Sequence, residues 1–293
     1  MTTTITPVSQ YDAATLTRNA DGEEAFMDGG SAPLGTVLQK LADRAIFARD
    51  AVIATLGWNG DFSVDAGGTN STFAVNIGTI GAVVTGTSAS VYKVLSGGGS
   101  AIGASKILGG GNLANSTWYY VYAWDNAGTL DFEISTTAPS GSRRTKSGDA
   151  TRRYLGCFPT TSAGAPIPLR ASRNRYVYRM SALAVADTRV LNAGTSATYA
   201  AVACSTLVPP HARLASLRAE LISTTASAAN FGNVQTYGDA GADAFNLYVV
   251  AASGATAYRD FEIETDSSQR VQYLVSAFTS APTLSLYVSG FRE

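Results

Sequence analysis

The chain contains one histidine, His211, and this number restricts the catalytic chemistry that its side chains could perform. A Ser-His-Asp triad would need His211 as its base, yet the sequence has no Gly-x-Ser-x-Gly turn to present a serine nucleophile. A single histidine cannot build a multi-histidine metal site either. Because His211 directly follows Pro209 and Pro210, we expect it to be an exposed loop residue. We predict no catalytic residue and no metal site.

Paired carboxylates are the other candidate catalytic groups, since two Asp or Glu side chains can cleave a glycosidic bond. The acids alternate with apolar residues such as Phe132, Phe261 and Ile263, which is typical of strands with one solvated face. The pattern therefore favours a protein that is not an enzyme, with a polysaccharide depolymerase as the less favoured alternative. The acids form two groups: Asp125, Asp131 and Glu133, and then Asp260, Glu262 and Glu264.

A basic segment covers residues 143–179, where nine Lys or Arg residues and one acid give a net charge of +8. The remaining residues hold twelve basic and twenty-one acidic groups, a net charge of −9. The segment could bind an anionic host surface glycan or a lipopolysaccharide phosphate, because guanidinium groups pair with such anions. It could equally pair with acidic residues of a neighbouring subunit or domain, which we favour. The arginines singled out are Arg143, Arg144, Arg152, Arg153, Arg170, Arg173 and Arg175.

An aromatic strand is predicted at residues 117–124, where large side chains alternate. Tyr119, Val121 and Ala123 would occupy one face of this strand. The aromatic rings of the other face could stack on sugars, as in a carbohydrate-binding adhesin, but such rings more often fill a core or a subunit interface. The residues of that second face are Trp118, Tyr120, Tyr122 and Trp124.

The composition narrows the class of protein further. Hydrophobic residues make up 45% of the chain, enough for well-packed cores and against intrinsic disorder. Charged residues make up only 15%, below the typical value of about 25%, which favours surfaces buried against other subunits. The net charge of −1 argues against nucleic-acid binding. The glycine-rich stretch 96–111 lacks the Lys-Ser/Thr of a phosphate-binding loop, so no cofactor is expected.

The two cysteines, Cys157 and Cys204, lie in apolar stretches and are predicted to be reduced core thiols. The first sixteen residues show neither the basic nor the apolar part of a secretory signal. The apolar runs are far too short to cross a membrane as a helix. We therefore expect a protein that is made in a cytoplasm and is not inserted into a membrane.

The elements that must position these residues are mostly strands. Residues 1–33 are polar and are predicted to form an extended arm. A short amphipathic helix follows and ends near Gly57. It could start a trimer as a short bundle, or it could lie on a sheet of its own chain. Its apolar stripe consists of Leu34, Leu38, Leu41, Ala45, Ala48 and Val52.

From Trp58 onward the chain shows short apolar runs separated by Gly, Asn, Asp and Ser turns, a pattern that predicts strands. The fold class is therefore mainly β. The expected domains are the arm and helix at 1–57, a central β-module at 58–183 and a C-terminal β-sandwich or jelly-roll-like domain at 184–293.

Three motifs occur along this chain. The first is the helical stretch Leu38-Gln39-Lys40-Leu41-Ala42-Asp43-Arg44. The second is Trp118-Tyr119-Tyr120-Val121-Tyr122, followed by Tyr154-Leu155-Gly156-Cys157-Phe158. The third is the turn Leu207-Val208-Pro209-Pro210. Together they resemble segments of bacteriophage tail-fibre and related virion proteins, although Asp43 stands where those helices usually carry Asn.

The resemblance covers about a third of the chain and implies architecture more than activity. It implies a homotrimeric virion fibre, assembled in the host cytoplasm and attached to other tail proteins through the N-terminal arm and helix. Host-receptor adhesion would then belong to the C-terminal loops, such as residues 226–232 and 237–244. The implied partners are other copies of the chain, other virion proteins and a host surface glycan.

Overall fold

The computed structural model describes residues 61–78, 80–88, 91–97, 99–140, 145–172, 174–223, 230–239, 245–249, 256–276 and 282–293. The arm and the apolar stripe from Leu34 to Val52 lie outside the described residues, so they stay predictions. Among the described residues, no helix combines the length and the apolar character needed to cross a membrane.

The described chain is mainly β, which confirms the predicted fold class. One short helix, α1, covers Val185–Thr188, and 3₁₀ turns cover Ala104–Lys106 and Met180–Ala182. The strands of the first half are β1 (Asp61–Val64), β2 (Val75–Ile77), β3 (Ile80–Ser88), β4 (Val91–Gly97), β5 (Ser100–Ile102), β6 (Trp118–Asn126), β7 (Thr129–Ser135), β8 (Thr145–Lys146) and β9 (Asp149–Pro159). Those of the second half are β10 (Leu169–Ser172), β11 (Arg175–Tyr178), β12 (Arg189–Gly194), β13 (Ala200–Ala203), β14 (Leu214–Ile222), β15 (Asn230–Thr236), β16 (Phe245–Val249), β17 (Thr256–Glu264), β18 (Arg270–Val275) and β19 (Thr283–Arg292).

Two compact units divide the described chain, and both are discontinuous in sequence. Unit 1 takes residues 77–100 and 120–155, and unit 2 takes residues 61–76, 101–119 and 156–293. Strands from both sides of residue 183, where the sequence suggested a domain boundary, pair within one sheet, because β11 lies beside β19.

The largest sheet has the order β17-β14-β19-β11-β10-β1-β2-β5, and β12 also pairs with β19. Within it, β14 pairs antiparallel with both β17 and β19. Along β14 the residues alternate between buried and partly exposed, as expected for a strand that covers a core with one face. The buried residues are Ala215, Leu217, Ala219 and Leu221.

A second sheet of unit 2 has the order β13-β18-β15-β16. It packs on the β14–β19 part of the large sheet, since a side-chain carbon at Gly232 of β15 would lie 3.1 Å from Leu221 and 3.3 Å from Leu284. Val234, Val271 and other buried apolar residues fill the space between the sheets. This arrangement is a β-sandwich, the architecture expected for the C-terminal part.

The aromatic strand β6 belongs to a four-stranded sheet with the order β7-β6-β9-β8. It forms a hairpin with β7, and Ala127 and Gly128 at its tip have positive φ values of 50° and 97°. Such left-handed residues are typical of the tight turn that joins the two strands of a hairpin. Within unit 1, β3 and β4 form a separate two-stranded sheet.

One predicted loop is partly wrong. Residues 226–232 were expected to form a receptor-binding loop, but Asn230–Gly232 begin β15, and Asn230 and Gly232 are buried. Asn233, on the opposite face of this strand from Gly232, has a side-chain partner, because its Nδ2 donates a hydrogen bond to Asn246 Oδ1 on β16. The remaining residues of this segment, and residues 240–244 of the second predicted loop, lie outside the described part.

Candidate functional site

Glu133 is the clearest departure from the expected solvated carboxylates, because its side chain is buried. Lys146 Nζ lies 2.6 Å from Glu133 Oε1, and Arg152 Nε lies 3.0 Å from Glu133 Oε2. The prediction of a wet face was wrong because β8 and β9 cover this side of the β6–β7 hairpin with their cationic side chains. Glu133 is therefore committed to a buried ion-pair cluster, which we call the Glu133 cluster: Glu133, Lys146 and Arg152.

The second group of acids lies on β17, the edge strand of the large sheet. Asp260 is exposed, and Arg218 Nε and Nη2 donate to its two oxygens over 2.8 and 3.0 Å. These hydrogen bonds lower the pKa of Asp260 and raise that of Arg218. Arg292 Nε lies 3.2 Å from Glu262 Oε1. The alternation expected for β17 is confirmed, since Phe261 and Ile263 are buried between these acids.

The aromatic strand divides its side chains between several roles. Tyr120 and Tyr122 are buried, and both rings pack against Tyr154 at centroid distances of 6.4 and 5.9 Å. The Arg152 guanidinium carbon lies 4.1 Å from the centre of the Trp124 ring, a cation–π contact. Tyr120, Tyr122 and Trp124 therefore make these contacts within unit 1.

Trp118, the fourth residue of the aromatic face, makes its contacts in unit 2. Its indole N–H donates a hydrogen bond to the Ser205 carbonyl over 2.9 Å. The ring meets Phe291 edge-on at a centroid distance of 5.7 Å. Because the polar edge and one side of the ring are already engaged, the geometry favours a structural role for Trp118 over stacking on a sugar.

His211 is not the exposed residue that its prolines suggested. It lies in the turn before β14, but only 11% of its side chain is exposed. Its Nε2 lies 2.9 Å from Glu293 Oε1, and the Cys157 thiol donates a 3.7 Å hydrogen bond to the same oxygen. The expectation of exposure was wrong because the end of β19 passes beside this turn. Cys157, His211 and Glu293 form a polar group within unit 2, which we call the Cys157 cluster.

The Cys157 cluster could not be found from sequence spacing. The residues paired by these two contacts are 82 and 136 positions apart, and no local motif links them. Their donor atoms are of the types that bind transition metals, so among the described residues this is the group that could hold an ion.

Both cysteines are buried thiols, as the sequence predicted. Cys204 directly follows β13, and its backbone N–H donates to the Gln269 carbonyl over 2.8 Å. Burial raises the pKa of the Cys204 thiol to about 12, so it stays protonated and unreactive at neutral pH. The two thiols thus differ in surroundings, because only Cys157 faces a histidine and a carboxylate.

The basic segment is divided between the two units. Arg152 is part of the Glu133 cluster in unit 1, and Arg153 lies on the same strand, opposite Thr145. Arg170 and Arg175 belong to the β10–β11 hairpin of unit 2, where both are exposed. Arg143, Arg144 and Arg173 lie outside the described residues.

An open cavity of about 720 Å³ lies along the β10–β11 hairpin. The hairpin register pairs Arg170 with Val177 and Ser172 with Arg175, so these four side chains share one face of the sheet. They line the cavity together with Ser63. Within the described part of the chain, no carboxylate pairs with Arg170 or Arg175. We call this surface the arginine face: Ser63, Arg170, Ser172, Arg175 and Val177.

No protein-family profile matches this chain, and a search of curated proteins finds no match.

Proposed function

We propose that the chain is a structural subunit of a bacteriophage virion, a homotrimeric tail fibre or tail-associated fibre attached through its N-terminal segment. The resemblance of its three motifs to such proteins suggests the particle. The described residues support the proposal through an architecture that consists almost entirely of antiparallel sheets, which is typical of such fibres.

The proposal of an oligomer rests on one edge of the second sheet of the sandwich. β13 is an edge strand with the sequence Ala-Ala-Val-Ala, and Ala201 and Ala203 are exposed. Edge strands of monomeric proteins usually carry charges or prolines that prevent pairing with another chain. β17, the edge of the large sheet, carries such charges at Arg259 and Asp260, whereas β13 carries none. An uncharged edge suits a surface that another copy of the chain covers.

The surroundings of the acids support a role without catalysis. A glycosidase needs one carboxylate as acid and a second as base or nucleophile across an open cleft. Glu133 is instead buried against two cations, and Asp260 and Glu262 each pair with an arginine. A chain that commits these acids to ion pairs is better suited to assembly than to cleaving a polysaccharide.

The mass of the full-length protein in solution tests the oligomer. Light scattering after size-exclusion chromatography should give three times the chain mass at micromolar concentration. Ala201→Lys should weaken the trimer because it places a charge on the β13 edge, and Ser268→Lys, on an exposed turn, should leave the mass unchanged. A stable wild-type monomer would overturn the proposal. Immune electron microscopy of the particle should then locate the chain on the tail.

A second candidate function is adhesion to an anionic host glycan, and the arginine face favours it. Two exposed guanidinium groups without described carboxylate partners border an open cavity, and such groups bind phosphate or carboxylate in a bidentate way. The favoured alternative for the basic segment, pairing with acids of a neighbouring subunit or domain, stays a prediction, because the acid that Arg152 meets, Glu133, belongs to its own unit. Arg170 and Arg175 have no carboxylate partner among the described residues.

Binding to lipopolysaccharide tests this second function. The double variant Arg170→Gln/Arg175→Gln should lose binding, and wild-type binding should weaken with added salt. Arg218→Gln is the matched control, because it removes an exposed arginine that already pairs with Asp260. Dephosphorylated lipopolysaccharide should bind weakly to the wild type if phosphate is the ligand. Equal binding by the double variant and the wild type would exclude the arginine face as the lipopolysaccharide-binding site.

A further inference from the structure

We propose that the Cys157 cluster is a binding site for one thiophilic divalent metal ion per chain, with Zn²⁺ as the expected occupant. Cys157 Sγ, a nitrogen of His211 and a carboxylate oxygen of Glu293 all lie within 4.8 Å of one another. This inference does not depend on the proposed function, since a metal site could stabilise the sandwich of any β protein.

The distances suit tetrahedral coordination. Zinc ligands lie about 2.0 to 2.3 Å from the ion, which places them about 3.3 to 3.8 Å from each other. Cys157 Sγ and Glu293 Oε1 are already 3.7 Å apart. His211 Nε2 and Glu293 Oε1 are 2.9 Å apart, so an ion would have to separate this hydrogen-bonded pair by about 0.5 Å. Rotation of either side chain can supply so small a displacement.

The donor set indicates which ion would bind. A thiolate and an imidazole select Zn²⁺ and similar borderline-soft ions over Mg²⁺ or Ca²⁺, which prefer oxygen ligands. The two charges of the ion would balance the Cys157 thiolate and the Glu293 carboxylate while His211 stays neutral. Binding releases the thiol proton to solvent, since the thiolate is the ligand. A water molecule or the second Glu293 oxygen would complete the coordination.

The backbone already holds the ligands in place. The Glu293 N–H donates to the Asn174 carbonyl over 3.0 Å, which fixes the end of β19 beside the turn between β10 and β11. His211 lies in a turn closed by the Ala212 N–H, which donates to the Pro209 carbonyl over 3.0 Å. Cys157 lies in strand β9 and is fully buried. Such fixed ligands lose little conformational entropy when an ion binds.

The expected role of the ion is structural. The site would join β9, the turn before β14 and the end of β19, through contacts that span 82 and 136 residues of chain. Cross-links that close long loops restrict the unfolded chain most. The small exposure of His211 and Glu293, 11% for each side chain, leaves little room for a substrate at the ion.

Titration of the metal-stripped, full-length protein with Co²⁺ tests the site directly. We expect binding to saturate at about one ion per chain and to produce a thiolate-to-cobalt charge-transfer band in the near ultraviolet. Added Zn²⁺ should displace the Co²⁺ and remove this band. Adding Zn²⁺ should raise the melting temperature of the wild type, and EDTA should lower it again. These two measurements need no variant. Absence of saturable binding, or a melting temperature that Zn²⁺ and EDTA leave unchanged, would overturn the proposal.

Variants then assign the ligands. Cys157→Ser should abolish the charge-transfer band, and His211→Gln should weaken Co²⁺ binding by more than about 100-fold, beyond the usual effect of losing a supporting hydrogen bond. Cys204→Ser is the matched control, because it removes the other buried thiol and should leave the band and the stoichiometry intact. Circular dichroism without metal checks that each variant folds. If Cys204→Ser removes the band while Cys157→Ser retains it, the assignment is wrong.

Discussion

Lys146 and Glu133 form a buried ion pair in unit 1, with 2.6 Å between Nζ and Oε1 and only 10% and 9% of the two side chains exposed. Arg152 approaches the other carboxylate oxygen at 3.0 Å and is 20% exposed. Charges removed from water in this way are tolerated only when they are paired. The cluster is therefore most sensitive at Glu133, because loss of this carboxylate leaves the buried Lys146 ammonium without its ion-pair partner.

Glu133→Gln should lower the free energy of unfolding by about 3 kcal/mol, since it removes the carboxylate paired with the buried Lys146 ammonium and leaves Arg152 only the more distant Asp149, 4.0 Å away. Urea unfolding followed by far-ultraviolet circular dichroism measures the change. Asp260→Asn is the control, because it breaks an exposed pair whose side chains are 50% and 63% exposed. That change should cost less than about 1 kcal/mol. Equal losses of unfolding free energy in the two variants would contradict the inference that the buried ion pair of Glu133 contributes more than the exposed pair of Asp260.

Cys204 should make the stability of the protein fall at high pH. Burial raises the pKa of its thiol to about 12, whereas the unfolded chain has a thiol pKa of about 8.5. Its contribution is therefore fully present below the unfolded pKa and is lost as the pH rises toward the folded pKa. The expected slope from this group is about 1.4 kcal/mol per pH unit across that window.

Urea unfolding at several pH values between 8 and 11 measures this slope. Cys204→Ala removes the thiol, so the variant should lose stability less steeply than the wild type over the same range. The two proteins share all their other ionisable groups, so the difference between the two slopes isolates Cys204. Identical slopes would show that this thiol does not titrate differently in the folded and unfolded chains.

Gly290 should tolerate substitution less well than Gly232, although both lie in strands of the sandwich. A side-chain carbon at Gly290 would collide with the Tyr176 carbonyl oxygen on the neighbouring strand β11. At Gly232 it would meet the methyl ends of Leu221 and Leu284 at 3.1 and 3.3 Å, and these side chains can move. Gly290→Ala should therefore lower the free energy of unfolding by about 3 kcal/mol and Gly232→Ala by about 1 kcal/mol, within the range known for overpacked interiors. Thermal unfolding compares them, and a milder effect at Gly290 would contradict the structure.

Local patterns predicted the strands where one face is buried. β14 alternates along its whole length, and the apolar residues Leu284, Leu286 and Val288 alternate in β19. The turn residues after β6 mark its hairpin with β7, so these features were predictable. β15 was missed because Asn230, Gly232 and Asn233 are typical of turns, while tertiary hydrogen bonds keep them in a strand. Local propensity is a weak guide wherever the sandwich supplies partners for polar groups.

The candidate sites were harder to predict, because they depend on which distant segments meet. Alternation assigned Glu133 to a solvated face, since the sequence of β7 contains no information about the cations that β8 and β9 contribute. His211 was expected to be exposed because its prolines indicate a turn, and the burial of that turn is decided by β19. The positions of Arg170 and Arg175 on one face did follow from strand alternation, once the hairpin register was known.

Tyr178 provides a last test of how the core of unit 2 is held together. Its hydroxyl donates a 2.6 Å hydrogen bond to the Leu207 carbonyl, and both residues are buried. Burial, with a smaller effect of the nearby Cys157, raises the pKa of Tyr178 well above its usual value, so the phenol stays neutral and remains a donor.

Tyr178→Phe should lower the free energy of unfolding by about 2 kcal/mol, because it leaves the Leu207 carbonyl buried without this donor. Tyr199→Phe is the matched control: Tyr199 also donates from its hydroxyl, to Asn233 Oδ1 over 3.1 Å, but the side chain is 41% exposed and water can replace the bond. That variant should change stability by less than about 0.5 kcal/mol. Chemical denaturation of both variants measures the difference, and a cost at Tyr199 as large as that at Tyr178 would mean that burial does not decide the strength of these hydrogen bonds.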